Sequence, residues 1–171
     1  MIAYPTEAVY GLGCLPWDYR AVARLLSIKK RSVEKGLIIV AADLEQVLHM
    51  IDLTGGFQAD EVFASWPGPI TWVLPASDLV PGWIRGSHPE VAIRLSAHPL
   101  VRQLCESAGP LVSTSANPEG CPPAADRNRV RSYFGTQLDY IVPGRVGTLG
   151  QPTEIRHAVT GRVLRPGSKI S

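Results

Sequence analysis

A chain of 171 residues has the length of one domain and buries roughly two thirds of its unfolded surface, so a single core suffices. Hydrophobic residues at 45% and charged residues at 19% exclude the disordered and fibrous classes, and a net charge of +2 excludes a uniformly basic nucleic-acid binder. The apolar runs, such as Leu37 to Ala42, are far too short to span a bilayer, and Met1-Ile2-Ala3-Tyr4-Pro5 carries no secretory pattern, so a cytoplasmic chain is expected.

The chain opens with Pro5-Thr6-Glu7-Ala8-Val9-Tyr10-Gly11-Leu12-Gly13, a run of turn formers and polar groups that reads as a binding loop rather than a core strand. Asp18 is an N-cap candidate for a helix through about Ser27, with Val22, Leu25 and Leu26 at helical spacing. Lys29 and Arg31 fall at its exit, where the helix dipole favours cations; alternate residues of an extended exit also point the same way. Leu37 to Ala42 reads as a strand covered on both faces. Asp43 is expected to cap a short helix through about Ile51, and a second helix over 58–66 stops at Pro67-Gly68-Pro69.

Ile70 to Leu74 resumes as a strand, and Val80 to Pro89 reads as a Gly/Pro-punctuated loop or hairpin. The strand Val91 to Leu95 precedes a helix over 99–107, and Leu111-Val112 leads into a polar loop, Ser113-Thr114-Ser115-Ala116-Asn117. Asp126 caps a basic helix through about Phe134; 140–142 and 162–164 read as late strands, with 153–156 between them. This alternation without strict βαβ regularity predicts an α/β fold, a single domain with a twisted mixed open sheet flanked by helices.

Two distant segments combine into a polyanion site: Lys29 and Arg31 offer cationic donors, while the Ser/Thr/Asn run offers hydroxyls, an amide and turn backbone for phosphate oxygens. Arg94 stands inside an apolar strand, a placement that fits either a structural ion pair or a carboxylate-binding role. Three cysteines without CxxC spacing argue against disulfides or a cysteine zinc site, and the four histidines lack HxxxH or HExxH spacing. Neither GxxxxGK[ST], a helix-opening GxGxxG nor GxSxG is present, which removes P-loop ATPases, Rossmann dehydrogenases and the commonest serine hydrolases. Arg127, Arg129 and Arg131 form a basic cluster that reads first as a solvated helix face and secondly as a surface for structured or double-stranded RNA.

In order and spacing, PTEAVYGLG, the KxR of Lys29 and Arg31, the segment over 66–71, the strand around Arg94, the STSAN run and Leu164-Arg165-Pro166-Gly167 resemble the YrdC-like family, in its short single-domain bacterial form. The resemblance implies an enzyme that joins L-threonine, bicarbonate or CO2, and ATP into threonylcarbamoyladenylate with release of pyrophosphate. That product serves N6-threonylcarbamoyladenosine modification of tRNA by downstream transferase proteins. It implies ATP-binding roles for Lys29, Arg31, Ser113, Ser115, Asn117 and Arg165, and threonine-binding roles for Thr6, Tyr10, Arg94 and Thr153.

Lys29 and Arg31 would act electrostatically, with Mg2+ carried on the ATP, no protein-held metal and no covalent nucleophile. Ala8 stands where the family often has a second threonine, and Lys35 is a charge near the phosphates without an assigned role. Family members also carry a helix and most of a strand before the PTE run, so the single YrdC-like domain over 1–171 is expected to lack that first helix. Two readings compete with the synthase: a noncatalytic RNA-binding module, and a carbamoyl-adenylate transferase or hydrolase of the same fold.

Overall fold

The computed structural model describes residues 1–148 and 153–167. The remaining residues of the expected domain, 149–152 and 168–171, lie outside that description. In chain order the elements are β1 (Ile2–Pro5), β2 (Tyr10–Cys14), α1 (Tyr19–Lys29), β3 (Ile38–Ala41), α2 (Ala59–Ala64), β4 (Ile70–Pro75), α3 (Gly82–Arg85), β5 (Glu90–Leu95), α4 (Pro99–Ala108), β6 (Leu111–Ser115), α5 (Arg127–Phe134), β7 (Tyr140–Ile141), β8 (Glu154–His157) and β9 (Val163–Arg165). Among the described residues nine strands form one mixed sheet in the order β7-β1-β2-β6-β3-β5-β4-β8-β9. The pairs β1/β7, β3/β5 and β4/β8 are parallel and the others antiparallel.

Alternation along the central strands divides the molecule into two faces. Leu12, Ile39, Ala41, Trp72, Leu74, Ile93 and Val112 point to one side, where Val22 and Leu25 of α1, Val62 of α2 and Val130 and Phe134 of α5 complete the main core. On the other side Tyr4, Val40, Ala42 and Leu111 pack under Val101 and Cys105 of α4. Helix α4 packs chiefly against β1 and β3 on that face. The in-register residues Ser113, Ile38, Ala92, Val73 and His157 on five adjacent strands face the same way and form a floor beside it.

Caps fall where the sequence places them. The Asp18 carboxylate accepts from the Ala21 amide at 3.1 Å and the Asp126 carboxylate from the Arg129 amide at 2.8 Å. Helix α1 ends at Lys30, whose φ of 51° is left-handed, so the chain turns sharply between Lys29 and Arg31 instead of continuing extended.

Four expectations are corrected. Tyr10–Cys14 is a fully buried strand, not a loop, because β1 and β6 pair with it on both sides and the Tyr4 ring lies over its two glycines. Ser113-Thr114-Ser115 likewise belongs to β6, so only Ala116 and Asn117 of that run leave the ladder. Asp43 closes a turn onto the Gln46 amide at 3.1 Å, and only Leu48–Met50 forms a 3-10 turn where a helix to Ile51 is expected. The punctuated stretch over 80–89 holds the short helix α3, which buries Ile84.

Gly13 shows how tight this packing is: an added Cβ would sit 2.7 Å from Tyr4 Cε1 and 2.8 Å from the Val112 carbonyl oxygen. Gly13→Ala is expected to lose about 1–3 kcal/mol by urea unfolding. Gly11→Ala, whose Cβ would meet nothing nearer than 3.3 Å, should lose less; equal losses would show that the Tyr4 ring shifts freely.

Candidate active site

A cavity of about 620 Å3 opens over the uncovered floor. Ile38, Val40, Val73, Ala92 and Ile155 supply apolar surface, and the polar groups enter from strand ends and adjoining turns. Eight of the ten sequence-predicted site residues line it: Thr6, Tyr10, Arg31, Arg94, Ser113, Ser115, Thr153 and Arg165. Lys29 and Asn117 stand behind its wall and do not line it.

Lys29 meets the second half of the chain, as the pairing of the two segments anticipates, but through its own hydrogen bonds. Its ammonium donates to the Ser115 carbonyl at 2.6 Å, the Asn117 carbonyl at 2.7 Å and Asn117 Oδ1 at 3.2 Å. Those three contacts use all three protons. Ser115 Oγ donates to Asn117 Oδ1 at 2.6 Å, and Asn117 Nδ2 donates to the Cys121 carbonyl at 2.7 Å, so one lysine organises the exit of β6. Burial, with Arg31 adding to it, pushes the Lys29 ammonium down to about 8, while the oxygens around it hold the proton.

Arg31 reaches the cavity. It donates to the Gly36 carbonyl at 2.9 Å, closing the turn after α1, and its Nε is buried without a hydrogen-bond partner. Burial lowers the guanidinium from its usual value, opposed by Glu119. Lys35 stands at the same wall, 59% exposed and 3.9 Å from the Glu119 carboxylate.

A second polar group gathers around Thr153. Arg94 Nη1 donates to Thr153 Oγ1 at 2.8 Å, and Arg165 donates to the Thr153 carbonyl through Nε at 3.1 Å and Nη2 at 2.7 Å. Burial and the adjacent Arg94 lower the Arg165 guanidinium from its usual value. Arg94 is also ion-paired, its Nη2 lying 3.4 Å from Glu7 Oε2. The ion pair expected of Arg94 is present, and the same side chain lines the cavity.

Thr6 and Tyr10 use their hydroxyls to shape the wall. Thr6 Oγ1 donates to the Val9 carbonyl at 2.7 Å, and the Tyr10 hydroxyl donates to the Gly144 carbonyl at 2.9 Å. Ser113 Oγ accepts from the buried Tyr4 hydroxyl at 2.8 Å and keeps its own proton for another acceptor.

Sequence reasoning missed Glu7 and the pair His157 and Glu90, 3.6 Å apart on the cavity wall. Nothing local distinguishes a carboxylate whose partner is 87 residues away; the alternation that puts His157 in register with Val73 was the available signal for the histidine. Among the described residues no group of three or more His, Cys, Asp or Glu side chains could hold a metal ion, and no helix is long and apolar enough to cross a membrane.

The chain matches relatives along nearly its whole length. A protein of Pseudomonas fluorescens named threonylcarbamoyl-AMP synthase is 50% identical over 166 residues, covering 97% of this chain and 90% of that protein. One of the same name from Coxiella burnetii is 51% identical over 166 residues, covering 96% and 89%. The crystal structure of P. abyssi Sua5 complexed with L-threonine superposes with a TM-score of 0.88 at 33% identity, covering 97% of this chain and 50% of the Sua5 chain, so only half of that longer protein has a counterpart here. The Sua5/YciO/YrdC family profile, described as "Telomere recombination", spans residues 1–167, and with half-identical relatives over the same stretch the chain belongs to this family.

Proposed function

We propose that this chain makes threonylcarbamoyl-AMP from L-threonine, bicarbonate or CO2, and ATP, releasing pyrophosphate. The observation that carries the reading is the joining, within one cavity, of a guanidinium-rich pocket around Thr153 to a wall of Arg31, Ser113 and Ser115. The half-identical synthases support the enzyme over a noncatalytic RNA-binding module or a transferase of other specificity. The Sua5 structure with L-threonine supports an amino-acid substrate.

In this mechanism Arg94 receives the threonine carboxylate, and Thr6, Tyr10 and Thr153 shape the pocket around the side chain. The neutral amine adds to CO2, forming an N–C bond and losing a proton. A carbamate oxygen then attacks the α-phosphorus, and the bond to the β-phosphate oxygen breaks as pyrophosphate leaves. Arg31, with Ser113, Ser115 and Arg165, offsets the charge growing on the phosphoryl oxygens. Lys29 and Asn117 hold Ser115 in place from behind.

The apolar floor of Ile38, Ala92 and Val73 is the surface left for adenosine. ATP arrives as its Mg2+ complex, the metal being part of the substrate, and the described residues offer no cluster to keep it. The reaction needs little beyond positioning, because holding the reactants together is worth several kcal/mol (about 7–11 in well-oriented cases) and no protein nucleophile is required. The product's mixed anhydride would pass in the cytoplasm to a tRNA threonylcarbamoyl transferase.

The test is pyrophosphate release from ATP and bicarbonate with and without L-threonine. Release is expected only with threonine, and Arg94→Lys should raise the threonine KM by about tenfold, because an ammonium cannot reproduce the two-pronged match to a carboxylate. Threonine-independent release, or none from folded protein, would remove the reading.

A further inference from the structure

Glu7 has no part in the reaction as written above, yet it is ion-paired to Arg94, which lines the same pocket. The Glu7 side chain is 12% exposed and Arg94 is 8% exposed. Glu7 Oε1 accepts from Ser96 Oγ at 2.7 Å, and that hydroxyl also accepts from the His98 amide at 3.1 Å. The carboxylate is therefore anchored to the end of β5 and the start of α4. Its backbone is clamped from the other side: the Gly147 amide donates to the Thr6 carbonyl at 2.8 Å, and a Cβ on Gly147 would lie 2.6 Å from the Glu7 carbonyl oxygen.

The pair is incompletely satisfied. Glu7 Oε2 lies near Arg94 without a hydrogen bond, and Arg94 Nε is buried with no acceptor. A buried guanidinium with an idle N–H beside a cavity is a donor in waiting, since such groups otherwise find partners. Two guanidiniums, Arg94 and Arg165, meet at Thr153, and Glu7 is ion-paired to Arg94, which leaves the Arg165 charge unmatched at that end of the pocket for an incoming anion. That matches one carboxylate of a monocarboxylic amino acid and disfavours a second.

We propose that Glu7 is a positioning residue that turns Arg94 toward the substrate carboxylate and restricts the pocket to amino acids with one carboxylate. The proposal rests on the reading of Arg94 as the threonine-carboxylate partner. Glu7 fixes one edge of the guanidinium, Thr153 fixes a second, and the remaining donors face the ligand. Without the Glu7 charge, Arg94 loses its orientation and the pocket gains a full positive charge.

The experiment compares wild type with Glu7→Gln, which keeps the size and can keep the Ser96 contact. Pyrophosphate release is titrated with L-threonine and with ATP, and L-aspartate is used as a competitor against threonine. The expected result is a threonine KM raised at least tenfold, an ATP KM within twofold of wild type, and aspartate inhibition at least tenfold stronger. A purely structural role would lower kcat or the amount of folded protein without strengthening aspartate binding. Unchanged threonine KM and unchanged aspartate inhibition in folded Glu7→Gln would overturn the proposal.

Should Glu7→Gln fail to fold, Ser96→Ala frees the carboxylate from its anchor while keeping both charges. It should raise the threonine KM at least threefold with no gain for aspartate, and an unchanged KM overturns the positioning role. The underlying assignment is separable: if Arg94→Lys leaves the threonine KM unchanged, the reading of Arg94 fails, whereas an effect in Arg94→Lys with none in Glu7→Gln fails Glu7 alone.

Discussion

Arg31→Ala is expected to lower kcat/KM for ATP by about 10²–10³, the range found when one preorganised donor to a developing anion is removed. The expectation follows from where the guanidinium stands. It lines the cavity, spends one donor on the Gly36 carbonyl at 2.9 Å, and keeps a buried Nε with no partner among the protein groups. Its planar fork can therefore meet phosphate oxygens without rearranging the turn. Lys35 on the same wall is 59% exposed, so water screens much of its charge and it should substitute poorly for Arg31. The measurement is initial-rate pyrophosphate release at varied ATP and saturating threonine. Arg31→Lys should recover part of the loss through charge alone, and a change below threefold in Arg31→Ala would take Arg31 out of the phosphate site.

The second large effect belongs to Lys29. Lys29→Met keeps the length of the side chain and removes the ammonium, leaving the carbonyls of Ser115 and Asn117 and the Asn117 amide oxygen without their shared donor. Asn117 Oδ1 keeps the Ser115 hydroxyl and the Ser115 carbonyl keeps the Asn117 backbone amide at 3.0 Å, so the Asn117 carbonyl is the acceptor left stranded, and the expected loss is about 1–3 kcal/mol. Urea unfolding followed by circular dichroism measures it. Activity should fall further than stability alone explains, because Ser115 sits on the cavity wall and the turn from Ser115 to Cys121 depends on the same amide. A variant of wild-type stability would mean that the Asn117 carbonyl finds another donor. If Lys29 acts from behind the wall, Lys29→Met should raise the ATP KM while leaving the threonine KM close to wild type.

Much of this was legible in the sequence, for reasons that differ by element. The apolar runs of β3, β4 and β5, the capped helices α1 and α5 and the proline-started helix α4 follow from period, cap chemistry and proline placement, which are local. The meeting of KxR with STSAN was legible as two segments converging on a polyanion. Its geometry was not: Lys30 turns left-handed, so Lys29 and Arg31 part company, one into the fold and one into the cavity.

The strand Tyr10–Cys14 was misread because two glycines and a preceding turn lower its apparent strand character. Only the tertiary fact that Tyr4 fills the space above Gly11 and Gly13 makes glycine the fitting residue there. The Glu7–Arg94 pair was hidden for a different reason, since 87 residues separate its members and nothing local to Glu7 points to its partner. Arg94 itself was visible, an arginine among apolar neighbours, and the structure shows its ion pair and its place on the cavity wall.

The alternation of β3 and β5 also separates two kinds of inherited change. Ile39 and Ile93 face the helices, whereas Ile38, Ala92 and Arg94 face the cavity. Single substitutions on the second set can alter what the enzyme accepts while the core keeps its packing. Loss of one residue from either strand exchanges that strand's faces, and in β5 it sends Arg94 into an apolar interior and an isoleucine into the cavity. Selectivity can therefore drift by replacement, but not by insertion or deletion within these strands, and length changes should be confined to segments such as the connection between β3 and α2 that the strands do not count.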